Sequence, residues 1–280
     1  MLTGQQKIEI GEVCCAIGFE EGFFQNESEA IFSSYRKWGF CSDGLPDMRI
    51  VVKGNLSSPP SRTKENLFYH SIEYDSVCST LLFDTEKFEG EIGFIVKKAD
   101  KFTPVRIVEL IETFISNAYI FYFFLHDKGT FIHSCGVADE GNGYIFAGPS
   151  GEGKSTIAKL SCSRTVLCDE MVLLKKNGEG RKKVYGTPFS GESGSVNMSS
   201  DCKGIYFIEK SRHNEILPMS KTAAVVTLMK EGVMGGFTSI DSIQRIYPFP
   251  RYLSLLFDLL EGVPCYRMRF KKDKSFWEVL

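Results

Sequence analysis

The residues whose types and spacing best suit chemistry form one glycine-rich segment near the middle of the chain. The pattern G-x-x-x-x-G-K-[ST] fits the sequence Gly148-Pro149-Ser150-Gly151-Glu152-Gly153-Lys154-Ser155-Thr156. Glycines in such a segment let successive backbone N–H groups turn inward around phosphate oxygens. Lys154 would reach the terminal phosphates of a nucleotide, and the Ser155 hydroxyl would bind magnesium. We therefore predict an ATP and Mg²⁺ site, with nucleotide contacts from Gly148, Ser150, Gly151, Glu152, Gly153, Lys154, Ser155 and Thr156.

The residues on either side of this segment have the periodicities that a phosphate-binding loop requires. Residues 143–147 form an apolar, β-prone run, whereas Ile157 and Leu160 have helical spacing. A strand, a loop and a helix in this order are the context in which the motif binds phosphate. The alternative is a glycine-rich turn that binds nothing.

Acidic residues decide what would happen to a bound nucleotide. Asp169 and Glu170 follow an apolar strand predicted at residues 165–168, only a short helix after Lys154. They can hold magnesium directly or through water, or one of them can accept the proton of an attacking hydroxyl. The short spacing argues against a motor or transporter ATPase, in which a comparable acidic strand end lies farther along the chain.

Two further groups are candidates for the same site. His133 ends a strand predicted at 130–133, and if that strand lies beside 144–147, His133 approaches Asp169. The carboxylate would then orient the ring and favour its charged form. Glu192 lies in a second glycine-rich loop, residues 186–192, and its carboxylate could turn toward a metal ion. The alternatives are a structural histidine and a solvated glutamate.

Composition limits the class of protein. The chain has 280 residues, of which 43% are hydrophobic, enough for one large domain or two small ones. Because the formal net charge is −2, we expect neither nucleic acid nor an anionic membrane as a partner. The nine scattered cysteines contain no C-x-x-C pair, and no signal-peptide pattern is present. We therefore expect a cytoplasmic protein with free thiols.

The order of predicted elements suggests two regions. Residues 1–60 are predicted to be irregular apart from a β-like run at 49–52, and a linker is predicted at 57–61. Pro104 begins a long apolar helix that we expect to be buried, with a membrane anchor as the alternative. We predict an N-terminal α+β region at 1–125 and a nucleotide-binding catalytic domain at 126–280. Further predicted elements are strands at 68–83, 92–96, 205–208 and 266–270, a hairpin of 171–174 with 183–185, and helices at 221–229 and 253–260.

These motifs together resemble the HPr serine kinase/phosphorylase superfamily, and in particular its stand-alone, HPr-kinase-like bacterial members. The similarity rests on His133 to Gly136, the loop 148–156, Leu167 to Glu170, and Gly186-Thr187-Pro188 with Glu192. The resemblance covers 130–280 and implies an α/β (α+β) fold. Its phosphate-loop core is that of HPr kinases and phosphoenolpyruvate carboxykinases, with a mixed sheet, and the N-terminal region adds a β-rich part.

The resemblance also implies roles for individual residues. It makes Asp169 the general base that takes a proton from a substrate serine, and His133 the histidine that pairs with this base. Ser155, Glu170 and Glu192 match positions that bind metal, and Lys154 matches the loop lysine. The segment with which HPr kinases dock their protein substrate is not recognisable here.

The implied function is an ATP- and magnesium-dependent kinase that phosphorylates a hydroxyl, with a serine of a protein or peptide as the expected acceptor. A kinase of a small-molecule alcohol and a non-catalytic, nucleotide-binding regulatory module are the alternatives. A carboxykinase ranks lower, because the chain is far shorter than those enzymes. HPr kinases form hexamers, so a homo-oligomer is a candidate assembly.

Overall fold

The computed structural model describes residues 2–22, 24–55, 66–98, 103–191, 193–230 and 247–280. The chain divides into two compact units, the first running to Tyr122 and the second beginning at Phe123. Tyr247 and Pro248 belong to the first unit, and 249–280 belong to the second. Each unit contains a mixed β-sheet with helices, which confirms the predicted α+β class.

The first unit is a six-stranded sheet in the order β1-β2-β3-β6-β5-β4. The pairs β2–β3 and β3–β6 are parallel, and the other neighbours are antiparallel. Its elements are β1 (Leu2–Ile10), β2 (Val13–Glu20), α1 (Gln25–Lys37), β3 (Met48–Lys53), β4 (Leu67–Glu73), β5 (Val77–Asp84), β6 (Glu89–Val96) and most of α2 (Thr103–Leu125).

The prediction that residues 1–60 are irregular is wrong, because β1, β2 and α1 precede the strand expected near 49–52. Gly11 and Glu12 both have positive φ, so a tight turn of the kind that suits a two-residue hairpin joins β1 to β2. Nearly all of β2 is buried, and it therefore lacks the polar–apolar alternation of a strand with one wet face. The linker predicted at 57–61 lies outside the described residues.

The long apolar helix α2 begins at Thr103, next to Pro104, as predicted. Phe121 packs on Phe68 and Phe83, with ring centroids 4.5 and 5.9 Å apart. The hydroxyl of Tyr119 bonds to main-chain carbonyls of the β1–β2 hairpin. Among the described helices, α2 alone is long and apolar enough to cross a membrane, and 72% of its most apolar stretch is buried within the protein.

A partly buried carboxylate, Glu112, lies on this helix. The hydroxyl of Tyr35 donates to Oε1 of Glu112 at 3.0 Å. Burial raises the pKa of Glu112 to about 7, against a smaller lowering by the Tyr35 hydrogen bond. The folded protein therefore binds a proton at Glu112 over a pH range in which the unfolded chain has released it.

This difference in proton binding predicts how stability depends on pH. Between the unfolded pKa of 4.5 and the folded value of about 7, the folded state binds more protons, so its stability falls as the pH rises. The loss amounts to at most about 3 kcal/mol at pH 8. Glu112→Gln should reduce the loss of unfolding free energy between pH 5 and pH 8, as measured by urea denaturation. Glu89→Gln, which neutralises an exposed carboxylate of the same unit, should leave it unchanged, and equal slopes for wild type and Glu112→Gln would contradict this account.

The second unit is built on a nine-stranded sheet. Seven strands follow the order β10-β8-β9-β13-β12-β11-β7. The long strand β13 is antiparallel to β12 near its start and parallel to β15 near its end, and β9 runs parallel to it on the other side. The strands are β7 (Gly129–Ile132), β8 (Ser134–Asp139), β9 (Asn142–Ala147), β10 (Thr165–Cys168), β11 (Val172–Lys176), β12 (Lys182–Tyr185), β13 (Ser199–Lys210), β14 (Glu215–Met219) and β15 (Cys265–Phe270).

The helices of this unit are α3 (Lys154–Leu160), α4 (Lys221–Lys230), α5 (Phe249–Leu259) and a 3₁₀ helix (Lys274–Val279). They confirm the three helices predicted here, and the predicted strands and the 171–174/183–185 hairpin are also present. The arrangement expected around His133 is wrong. Strand β7 pairs with β11, and β9 lies between β13 and β8, a strand that was not predicted from the sequence.

Candidate functional site

The register of three strands brings the predicted site residues to one edge of the second sheet. Strand β8 is antiparallel to both β9 and β10, with Ser134 opposite Ala147 and Gly136 opposite Cys168. The start of β8 therefore lies beside the ends of β9 and β10. His133 precedes β8, Gly148 follows β9 and Asp169 follows β10, so the segments bearing these residues meet at this edge.

The glycine-rich segment joins β9 to α3, so the predicted strand and helix flank it. Gly151 and Gly153 have φ of +85° and +123°, values that side chains rarely allow. A Cβ atom added to Gly148 would lie 2.9 Å from Cγ1 of Ile208, so the start of the segment passes too close to β13 for a side chain. These glycines are required by the path of the backbone.

Lys154 is 6% exposed, and its ammonium group is held across the start of the segment. Nζ donates to the carbonyl oxygens of Gly148 at 2.7 Å and Pro149 at 3.2 Å. Glu152 is also engaged within the protein: its N–H donates to Pro149 O, and its carboxylate accepts from the Lys210 N–H. The side chains of Ser150 and Ser155 are exposed, and Thr156 is half-buried.

Asp169 is a buried carboxylate, 2% exposed. Its two oxygens accept from backbone N–H groups at the end of the second glycine-rich loop and just after it. The N–H of Gly191 donates to Oδ1, and the N–H of Ser193 donates to Oδ2, both at 2.8 Å. A Cβ atom on Gly191 would lie 3.3 Å from Oδ2, which is a tight contact. Asp169 therefore points into the protein toward the backbone of Gly191 and Ser193.

Other contacts fix the second loop against β10. A Cβ atom on Gly186 would lie 2.0 Å from the carbonyl oxygen of Val196 and 2.6 Å from that of Leu167, so only glycine fits. The Thr187 hydroxyl donates to the carbonyl oxygen of Met171 at 2.6 Å. Glu192, the third predicted metal ligand, lies outside the described residues.

The carboxylate partner of His133 is Glu170, whereas the sequence reading expected Asp169. Nδ1 of His133 lies 3.2 Å from Oε1 of Glu170. Burial and then the charge of Lys154 lower the pKa of His133, and Glu170 opposes them less strongly. Burial and Lys154 thus favour the neutral ring, whereas the sequence alone favoured the charged form.

Electrostatic effects link the groups of this edge. Burial raises the pKa of the Cys135 thiol, the neighbouring Cys168 and Asp169 raise it further, and Lys154 lowers it. The charges of Lys154 and Asp169 therefore both act on one side chain of β8.

Few side chains at this sheet edge could serve as ligands of a metal ion. Among the residues that the structure describes, no group of three or more His, Cys, Asp or Glu side chains is placed to hold one. Magnesium bound with phosphates keeps several waters and takes only one or two protein ligands. The exposed Ser155 hydroxyl and the half-exposed Glu170 carboxylate fit that requirement.

One contact of the glycine-rich segment was not predicted from the sequence. Phe270, the last residue of β15, and Lys272, two residues later, both lie against Gly153. A Cβ atom on Gly153 would lie 3.0 Å from Cε1 of Phe270 and 3.8 Å from Cε of Lys272. More than a hundred residues separate them in sequence, so no local pattern indicates the contact.

A comparison with protein families gives a match over this part of the chain. Residues 97–280, about two thirds of the sequence, match the family described as SynChlorMet cassette protein ScmC. The chain belongs to the ScmC family. The matched range includes β7 to β15 and therefore every residue of the candidate site. A search of curated proteins finds no match.

The contacts of His133 predict how its ring titrates. The pKa of His133 should lie below 6.5, should rise in Lys154→Met, which removes a nearby positive charge, and should fall further in Glu170→Gln. Titration of the histidine ring protons by NMR measures these shifts. His70, whose pKa is lowered by burial in the first unit, should be unaffected by either change. A His133 pKa that does not respond to Glu170→Gln would contradict the assigned pairing.

Proposed function

We propose that this protein is an ATP- and magnesium-dependent phosphotransferase that transfers the γ-phosphate to a hydroxyl, with a serine of a protein or peptide as the acceptor. The main support is one juxtaposition: a glycine-rich segment of the G-x-x-x-x-G-K-[ST] pattern lies at the same sheet edge as a buried, oriented carboxylate. The first provides donors for phosphate oxygens, and the second provides an acceptor for a proton. Phosphoryl transfer requires both.

In this proposal the segment 148–156 holds the phosphate chain. Its backbone N–H groups cradle the α- and β-phosphates, and Lys154 adds a positive charge at the β- and γ-phosphates. Ser155 and Glu170 hold magnesium, which when bound neutralises charge on the phosphate oxygens. The Lys154 ammonium, which donates to the carbonyl oxygens of Gly148 and Pro149 in the structure, would turn from them toward the phosphates.

Asp169 would accept the proton of the attacking hydroxyl. Each of its oxygens accepts one N–H bond and keeps a further lone pair for a substrate O–H. His133 would serve the neighbouring carboxylate, since a neutral ring with its proton on Nδ1 can donate to Glu170 and orient it toward the metal. This assignment gives His133 a positioning role.

The resemblance to HPr-kinase-like proteins, which rests on the same motifs, points to the same function. All the motifs that underlie it lie within the range matched by the ScmC family. A protein or peptide acceptor follows from that resemblance, whereas a closed pocket for a small alcohol would indicate the small-molecule alternative.

A nucleotide-responsive regulatory module is the second candidate, and one observation favours it. Both oxygens of Asp169 accept backbone N–H groups, so this side chain could serve only to fix the second loop. Such a module would bind nucleotide without turning it over.

Two variants separate nucleotide binding from transfer. Lys154→Ala should weaken ATP binding on the order of a hundredfold, because it removes the lysine that faces the phosphates. Asp169→Asn should bind ATP nearly as wild type does but transfer phosphate roughly 10²–10⁴ times more slowly, since it lacks the base. Calorimetry and a γ-labelled ATP transfer assay measure the two effects.

The exposed Asp201→Asn provides a matched control that should change neither property. Thermal unfolding of Asp169→Asn checks that the second loop is retained. Normal transfer by a folded Asp169→Asn protein would refute the base assignment, and binding without turnover by wild type in the presence of acceptors would favour the regulatory module.

The acceptor can be identified directly. Incubation of the purified protein with γ-labelled ATP and a cell extract, followed by mass spectrometry, should yield a labelled phosphoserine in a protein or peptide. Lys154→Ala should abolish this label. Label confined to a small alcohol would replace the proposed acceptor with the small-molecule alternative.

A further inference from the structure

We propose that Lys272 is a second lysine of the nucleotide site and contacts the diphosphate portion of the nucleotide. This inference rests on the proposed function, because it names a further contact for the same nucleotide. It starts from the close approach of Lys272 to Gly153, the last residue of the segment before Lys154. A Cβ atom on Gly153 would lie 3.8 Å from Cε of Lys272, one bond away from the ammonium nitrogen.

The connection that bears Lys272 is held in place on both sides. The carbonyl oxygen of Phe270 accepts from the Ser211 N–H, and the Lys271 N–H donates to Oδ1 of Asn214. Asn214 in turn donates to Asp273, whose side chain caps the 3₁₀ helix through the Ser275 N–H. The position of Lys272 beside Gly153 is therefore set by the fold.

The backbone of Lys272 also has an unusual conformation. Its φ is +65°, in the left-handed region that favours glycine over lysine. A lysine at such a position is less stable than a glycine would be, so a gain in stability does not explain its presence. Lys272 is also exposed, so burial of its side chain does not explain it either.

The charges nearby single out Lys272 among its neighbours. Lys271 pairs with Asp273 at 3.0 Å, and the ammonium of Lys210 lies 3.9 Å from Glu152. For Lys272, no carboxylate within 4.0 Å is found in the described part of the chain. Its charge is available to an anion at the glycine-rich segment. Since the backbone of such a segment holds the α- and β-phosphates, ADP and ATP should both use this contact.

The test compares matched charge removals in the full-length protein. Lys272→Met should raise the Kd of both MgADP and MgATP about tenfold, as expected for one charge-assisted contact. Lys203→Met is the control: this exposed lysine lies on β13 near Gly143, at the end of β9 away from the segment. It should leave both dissociation constants unchanged. Calorimetry at constant ionic strength measures the dissociation constants of both nucleotides for wild type and the two variants.

A second variant excludes a structural explanation. Lys272→Gly removes the same charge but suits the positive φ, so its melting temperature should equal or exceed that of wild type while its nucleotide affinity falls. Loss of affinity only in variants that also melt at a lower temperature would overturn the inference.

The remaining outcomes distinguish this inference from the proposed function. Wild-type affinity in Lys272→Met, with Lys154→Ala still defective, would overturn the role of Lys272 and leave the proposed function standing. An equal loss in Lys203→Met would also overturn it, because the effect would then reflect general charge. Absence of MgADP and MgATP binding by wild type would overturn both.

Discussion

The candidate site depends on a one-residue connection between two strands. His133 alone joins β7, at one end of the sheet order, to β8, next to the other end, so the sheet must curl until these strands meet. The curl is tight: a Cβ atom on Gly136 would lie 2.5 Å from Cγ1 of Val172 on β11. The Ser134 N–H donates to the carbonyl oxygen of Glu170, which ties the start of β8 to the residues that follow β10. His133, the glycine-rich segment and the acidic pair consequently share one edge.

Two buried charges then organise the loops at that edge. An unpaired charge away from water costs several kcal/mol, so each must find partners. Lys154 uses the carbonyl oxygens of Gly148 and Pro149, whereas Asp169 uses the N–H groups of Gly191 and Ser193. One charge shapes the first loop and the other shapes the second. Loss of either side chain would disturb a loop as well as remove a chemical group, which is why thermal unfolding must accompany any kinetic comparison of these variants.

Local patterns were sufficient for part of this arrangement. The spacing of Gly148, Gly153 and Lys154 predicted the loop with its strand and helix, and the apolar run before Asp169 predicted β10. The partner of His133 was not predictable, because only 130–133 were predicted as a strand and no local pattern in the residues that follow shows that β8 begins one residue later beside different strands. The contact of Lys272 with Gly153 depends on the pairing of β13 with β15, which joins distant parts of the sequence. Long-range pairing, which local propensity does not encode, decided both cases.

The adjacent carboxylates Asp169 and Glu170 lie in different environments, and each environment suits the role proposed for that side chain. Asp169 is 2% exposed and held by two backbone donors, a setting that fixes its direction and suits a group that must meet one proton at one place. The side chain of Glu170 is 47% exposed and contacts a ring whose neutral form is favoured, a setting that suits an ion arriving with its own water shell. In the proposed mechanism the β7–β8 connection, through His133, would orient the proposed metal ligand Glu170, whereas backbone N–H groups of Gly191 and Ser193 orient the proposed base Asp169.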